Sequence, residues 1–471
     1  MSAAVSDGVD SGVKRAVTYG SLTMVALCFA NGLQNGEFQS FSQATESLKH
    51  AFHVSDFTLG TVSFSTGLGG AIGSIPIALL CARYARTRVL ACMFAAWALL
   101  MGLQGLAPTF AIFFFLRVLM SVTEATDPAA LPLISDYWPV EQRASKVGIF
   151  NAGASVGAFF GIISAGVLVD RFGWRWGLLV WVPIGIVGAL LMWSRREPPR
   201  GEQDAAFRET LAALSPEAAA LEEADENLVT SLIAEQVDLE AVEEVPGIID
   251  PTTMTKWEVV KQIFRLRSWR VVAFGVGLTQ IMQNGLMFWG TPYFKRTFHL
   301  SGTQVAGLAP IVGSGAFIGI LGGGFVADRL LKCGVLRARV WVSAIGFAGA
   351  GVGYVLAFST RSLPLAVPFL FLGTTLGAVT TGPQYALLMD VTPSSLRPQA
   401  ASVTNIVQLV SALGYVVVGG LSSLFGENLR LALLCVSPMY VVGAAFVIVA
   451  RRTYVADVAM VVAEARKQAR P

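Results

Sequence analysis

The sequence predicts an all-α polytopic membrane protein of twelve transmembrane helices in two six-helix, pseudo-symmetric bundles. Three observations predict it. The 471 residues are 54% hydrophobic and only 14% charged, with 48 glycines and a mean hydropathy of +0.61. That is too little charge to cover a soluble chain of this length. Apolar windows of about 20 residues, long enough to cross hydrocarbon, recur along the chain twelve times. Finally, the halves repeat: Asp136, Pro139, Arg143 and Asn151 have counterparts at Asp390, Pro393, Arg397 and Asn405, each 254 residues on.

The windows lie at 18–38, 57–80, 88–107, 110–135, 144–169, 174–193, 270–294, 303–327, 338–358, 364–389, 399–424 and 429–450. The first follows Lys14-Arg15 and reads as a spanning helix rather than a signal peptide, because Gln34-Asn35-Gly36-Glu37 follows with no small-x-small cleavage site. An even count puts both ends on one side. Counting Lys and Arg in alternate segments gives 26 on that side and seven on the other (Lys49, Arg171, Arg175, Lys295, Arg296, Arg361 and Arg430). The positive-inside rule therefore places both termini in the cytoplasm, with the chain in the cytoplasmic (inner) membrane. The expected division is a bundle at 1–193, an insert at 194–269, a second bundle at 270–450 and a tail at 451–471.

The insert differs in kind from the rest. Residues 202–250 hold fourteen Asp or Glu against Arg208 alone, with Leu211, Leu214, Leu221, Leu228, Leu232 and Val242 at loosely helical spacing. From Lys256 to Arg270 the chain is basic and carries Trp257 and Trp269. It reads as a partly helical linker whose basic end lies along the inner membrane surface, the alternative being a regulatory or partner-binding element.

Other chemistries find little support. The basic residues sit in short clusters between apolar runs, which argues against nucleic acid as a partner. Cys28, Cys81, Cys92, Cys333 and Cys435 form no CxxC, and with three histidines outside the windows they suggest neither a disulfide framework nor a metal site. No phosphate loop, nucleophile–base pair or cofactor motif is visible. The expectation is no cofactor, no metal and no enzyme.

Charge inside the windows is concentrated between residues 117 and 143. Arg117, Glu124 and Asp127 fall within the fourth window, where each costs about 2.5–3.5 kcal/mol on insertion scales. Such a cost points to a water-filled, substrate-handling interior. Arg117 and Glu124 are about 10.5 Å apart along a helix axis, on one face but too far to pair by default. Glu37 in the first window is a candidate partner. Asp127 follows Glu124 by three residues, and Pro128 removes the bond that the Glu124 carbonyl would accept, which predicts a kinked or hydrated helix. Asp136 with Arg143, and Asp390 with Arg397, sit at cytoplasmic span ends, where they would hold or release an inner gate, plain interfacial anchoring being the alternative. Asn151, Asn405 and Gln408, with Gln34 and Asn284 from the echoed Gln-Asn-Gly runs at 34–36 and 283–285, are candidate polar cavity residues. Glycines at 153, 157 and 161 form GxxxGxxxG, a signal for close helix packing. Phe288, Trp289 and Tyr293 would floor an amphiphile site or act as interfacial anchors.

These residues resemble a known family. GGGFVADRLLKCGVLRAR from Gly322 is similar to the cytoplasmic loop signature of the major facilitator superfamily, with Asp328 and Arg329 in the key places, which the resemblance assigns to gating. In the first-half loop, GSIPIALLCARYARTR from Gly73, Ala82 stands where the superfamily has Asp, while Arg83, Arg86 and Arg88 are kept. SIPIALLCARYARTRVL, the Arg117/Glu124 pair and LISDYWPVEQRASKVGIF resemble the Spinster-like group of lipid and lysophospholipid transporters. In that group an acidic residue in span one and an Arg/Glu pair in span four are associated with proton coupling; by position these are Glu37, Arg117 and Glu124, although Phe38 stands where the group has Arg. The glycine-rich fifth window also resembles that of drug/proton antiporters but lacks their Gly-Pro pair.

The resemblance implies a proton-coupled, alternating-access transporter of an amphipathic or lipid-like small molecule, with protons and membrane lipids as its other partners. A drug or organic-anion carrier of the same fold, and a non-transporting sensor or scaffold signalling through the insert, are the alternatives. Oligomeric state is not legible.

Overall fold

The computed structural model describes residues 2–138, 140–200, 256–392, 396, 400 and 410–468. Every element among them is helical. In chain order these are α1 (Ser2–Phe52), α2 (Asp56–Arg83), α3 (Arg86–Gly105), α4 (Phe110–Thr123), α5 (Asp127–Tyr137), α6 (Val140–Phe172), α7 (Trp174–Leu179) and α8 (Trp181–Trp193). The second half supplies α9 (Lys256–Arg265), α10 (Arg267–Phe298), α11 (Gly302–Lys332), α12 (Ala338–Ser359), α13 (Leu363–Val379), α14 (Thr381–Asp390), α15 (Leu413–Leu424), α16 (Leu429–Val436), α17 (Met439–Ala450) and α18 (Tyr454–Gln468). Among the described residues nine stretches are long and apolar enough to cross a membrane: 56–83, 86–105, 145–172, 174–193, 267–298, 302–332, 338–359, 363–390 and 429–450. They match nine of the twelve expected windows. Of the rest, α1 is long but polar around Gln34–Glu37, the fourth is split into α4 and α5, and the eleventh is described only in part. Most of the 194–269 insert lies outside the described residues, as do Arg397, Asn405 and Gln408.

Several spans are broken, and prolines account for where. A proline cannot donate to the carbonyl four residues back. Pro128 orphans the Glu124 carbonyl, Pro183 that of Leu179 and Pro383 that of Val379; α4 is capped by Glu124, α7 ends at Leu179 and α13 at Val379. At the first break the freed Glu124 carbonyl accepts the Thr126 N–H at 2.8 Å. Pro76, Pro292 and Pro310 sit inside unbroken helices, so a proline permits a break without dictating one. The first helix departs from expectation in the other direction. It runs on past residue 38 to Phe52, because the chain there contains neither proline nor glycine.

The chain forms two compact units, one of residues 1–215 with 299–307, the other of 216–298 with 308–471. In the first, α1 packs along α6 through facing small residues. A Cβ on Gly157 would meet the Gly32 carbonyl oxygen at 1.9 Å, and one on Gly161 the Gly36 oxygen at 2.0 Å. Only glycine lets the two backbones approach so closely, which is what the GxxxGxxxG pattern predicts. Residues 299–307 belong to this unit, where Asp170 accepts the backbone N–H groups of Gly302 and Thr303 at 3.0 and 2.8 Å. The second unit is cored on α10, α12 and α17, with Phe288, Trp289, Tyr293, Tyr354 and Phe358 fully buried. Phe288, Trp289 and Tyr293 are therefore packing residues of this core: the Trp289 indole donates to the Tyr415 carbonyl at 2.9 Å, and the Tyr293 ring lies edge-on to Phe358.

Candidate functional site

The first unit buries an ion pair in its middle. Glu37, on α1, and Arg117, on α4, are 0% and 2% exposed, and an Arg117 Nη1–H donates to Glu37 Oε1. Arg117 also lies over the Phe41 ring, its guanidinium carbon 4.2 Å from the centroid. That stacking is favourable where the cation is desolvated. Glu37 is held by the α1–α6 contact and by its neighbour Ser40, whose hydroxyl bonds the Gly36 carbonyl and accepts the Trp181 indole N–H at 2.8 Å.

The pair is incomplete. Glu37 Oε2 and Arg117 Nε are buried with no hydrogen-bond partner among the described residues. Buried polar groups are seldom left in that condition without a ligand, water or functional reason.

Glu124 completes the cluster from the break between α4 and α5. Its carboxylate lies within electrostatic range of both Glu37 and Arg117 and takes a hydrogen bond from Trp97. A cavity of about 10 Å³ adjoins it, lined by Ala30, Leu33, Gln34, Phe94, Trp97, Thr123, Glu124 and Thr126. That is roughly the room one water needs. The structure thus brings together Glu37, Arg117, Glu124 and Gln34. It separates Asp127 from them: because the helix stops at Thr123 and restarts at Asp127, the expected shared face with Glu124 does not exist, and Asp127 is exposed.

The remaining polar candidates are dispersed. Asn151 is exposed on α6, while Asn284 donates to the Ser411 hydroxyl at 2.7 Å in the second unit. A group that the sequence reading did not single out adjoins Asn284 in the chain: the Tyr440 hydroxyl donates to Gln283 Oε1 at 2.7 Å, and the Tyr354 ring packs against Tyr440. The echo of Gln34-Asn35-Gly36 at Gln283 was the available signal.

At one end of each unit an aspartate is clamped by an arginine from another helix. Asp136 takes the Arg86 Nη2–H at 2.5 Å, and Arg86 Nε donates to Glu197 at 2.7 Å. Arg143, expected beside Asp136 at this span end, donates to the carbonyls of Ser135 and Trp138 at the end of α5. Asp390 takes Arg339 Nη1 on both oxygens at 2.5 Å and the Tyr454 hydroxyl at 2.6 Å. Burial and the Asp390 carboxylate hold the Tyr454 phenol well above its ordinary range, so it stays a donor across physiological pH. Arg86 and Arg339 begin α3 and α12, 50 and 51 residues from their aspartates, a separation that no local helical spacing reports. Asp328 and Arg329 are exposed near the end of α11, Asp328 within electrostatic range of Arg339. Opposite Ala82, Arg200 ties the end of α2 by donating to the carbonyls of Cys81, Ala82 and Tyr84.

The comparisons with known proteins agree on the kind of molecule. The chain is 23% identical over 387 residues to the hexuronate transporter of Bacillus subtilis, covering 79% of this chain and 80% of that one. It is 22% identical over 358 residues to the probable L-galactonate transporter of Escherichia coli, covering 72% and 69%. Among solved structures, a bacterial homologue of the human lysosomal transporter Spinster, captured inward-facing and unoccupied, superposes with a TM-score of 0.72 at 20% identity over 93% of this chain and 98% of that one. The D-xylose–proton symporter follows the same fold at a TM-score of 0.64 and 16% identity, over 91% and 97%. Residues 25–413 match the profile of the Major Facilitator Superfamily, and the chain is a multi-pass transporter of that superfamily.

Proposed function

We propose that the protein is a proton-coupled secondary transporter of the cytoplasmic membrane, with both termini inside, that moves an amphipathic organic anion by alternating access. One observation carries the reading: a buried Arg117–Glu37 pair with a spare donor and a spare acceptor, next to Glu124. Charge counting turns that geometry into coupling. One guanidinium and two carboxylates leave one uncompensated negative charge in a low-dielectric interior, and a single proton neutralises it. An anion that takes Arg117 from Glu37 restores the imbalance unless a second proton follows. Charge is expensive at this depth, so anion binding and proton uptake favour each other. The free Arg117 Nε–H gives an incoming carboxylate or phosphate a foothold before Glu37 lets go.

In the second unit the positions matching Arg117, Glu124 and Asp127 are Phe371, Ala378 and Thr381. This uncharged surface suits an apolar portion, which supports the amphipathic, lipid-like cargo. A second reading, a hydrophilic sugar acid, is favoured by the names of the sequence relatives and by the Gln283–Tyr440–Tyr354 group, whose amide and hydroxyls suit a polyol.

Purified protein in liposomes under an imposed pH gradient separates these readings. Gradient-driven uptake of lysophosphatidylglycerol without uptake of galacturonate or galactonate supports the first; the reverse supports the second. Glu124→Gln is expected to cut gradient-driven accumulation at least ten-fold while leaving substrate exchange across the membrane measurable. Transport that ignores the gradient and survives both Glu124→Gln and Glu37→Gln would overturn proton coupling.

A further inference from the structure

The second unit carries another concentration of charge, at the end of its helices away from Arg339 and Asp390. The last turn of α10 (Arg296 and Thr297), the α12–α13 loop (Arg361) and the segment from Gly426 to Arg430 line an open pocket of about 390 Å³. Three guanidinium groups and one carboxylate, that of Glu427, face it. The net charge of the lining is thus about +2.

Two of the arginines are braced from behind. Arg296 Nη1 donates to the Glu427 carbonyl at 3.3 Å and lies 3.7 Å from the Glu427 carboxylate. Arg430 Nη1 donates to the Ser359 carbonyl at 3.1 Å, at the end of α12. A guanidinium has five N–H donors in a rigid plane, so the Arg430 contact fixes that group while leaving donors to spare. Arg361 is exposed on the rim and makes no ion pair among the described residues.

The sequence makes this gathering unusual. Of the seven basic residues on the side expected to face away from the cytoplasm, three line this one pocket. Positive charge avoided elsewhere on that side is collected here from three separate loops and helix ends. Simple capping of α12 explains Arg430, but not the convergence of Arg296 and Arg361.

We propose that this pocket is an accessory binding site for a phosphate-bearing anion. Arginine forks bind phosphate oxygens bidentately, and a surplus of two positive charges matches a phosphate group better than a single carboxylate. The pocket lies at the ends of spanning helices, at the level of lipid headgroups, and also opens to solvent. The same chemistry therefore has two sources, the diester of an anionic phospholipid or a soluble phosphate. The site is independent of the coupling cluster, since all its residues belong to the second unit.

The test uses the full-length protein in detergent and in nanodiscs. Inorganic phosphate is titrated at constant ionic strength against chloride while the thermal midpoint is followed. Retention of phosphatidylglycerol against phosphatidylcholine is measured separately by native mass spectrometry. Wild type is compared with Arg361→Gln and with Arg361→Gln/Arg430→Gln. Arg361 is exposed, so its single substitution is expected to leave the fold intact. A phosphate-dependent rise in midpoint that weakens at least five-fold in the variants identifies a soluble ligand. Preferential phosphatidylglycerol retention that the variants lose, without a phosphate response, identifies the lipid headgroup. If neither probe binds, or if both bind Arg361→Gln as well as wild type, the proposal is wrong.

Discussion

The stretches α4–α5 and α13–α14 have the same backbone plan and opposite contents. Each begins as an apolar helix, breaks, and resumes at residues 254 apart, Asp127 and Thr381. Each carries, within its last two residues, an aspartate clamped by an arginine in the first turn of the preceding spanning helix, Arg86 or Arg339. Between break and start, however, the first carries Arg117 and Glu124 where the second has Phe371 and Ala378. The duplicated parts are those that a spanning helix needs in order to bend and be anchored. The unduplicated part costs stability and is placed once, where a buried carboxylate on α1 can meet it. Of two similar frames, one carries Arg117 and Glu124 and the other has uncharged residues at the matching positions.

Three changes test how far that division holds. The largest effect is expected from Arg117→Gln, which strands Glu37 uncompensated in the core and is expected to cost about 3–5 kcal/mol. A large fall in thermal midpoint with loss of transport is the expected outcome, and a neutral result would mean that the first frame does not depend on its charge. Next, Tyr454→Phe removes a hydrogen bond to the Asp390 carboxylate, worth about 1.5–3 kcal/mol for a charged acceptor. The loss should appear as a lower midpoint with transport retained, showing whether the anchors are structural in the frame that lacks the chemistry. Smallest, at about 1–3 kcal/mol of overpacking, is Gly157→Ala, which drives a methyl against the Gly32 carbonyl. Gly148→Ala on the same helix meets nothing within 4 Å and serves as its control. Equal midpoints for the two variants would show that the α1–α6 contact does not position Glu37.

Much of this was legible in the chain. The apolar windows put nine spans within a few residues of where they lie, since spanning length is set by hydrocarbon thickness and reported locally by composition. Pro128 announced the break in the fourth span, and the glycines at 153, 157 and 161 announced a close helix contact, because both effects act through the backbone over one or two turns. Local spacing misled where those same rules were extended too far. Asp127 was placed on the face of Glu124 by a helical count that runs across the break. Nor does local spacing report the Arg86 side chain, 50 residues earlier, that bonds the Asp136 carboxylate.

By itself the sequence determined the membrane-spanning class, the two-fold repeat and the confinement of intramembrane charge to one half, because hydropathy, register and residue identity are properties of the chain alone. Only the tertiary structure decided which charges meet. Glu37 and Arg117 are 80 residues apart, and Arg296, Arg361 and Arg430 come from three separate connections. Their pairing depends on how helices pack side by side, and no periodicity within a single helix encodes that.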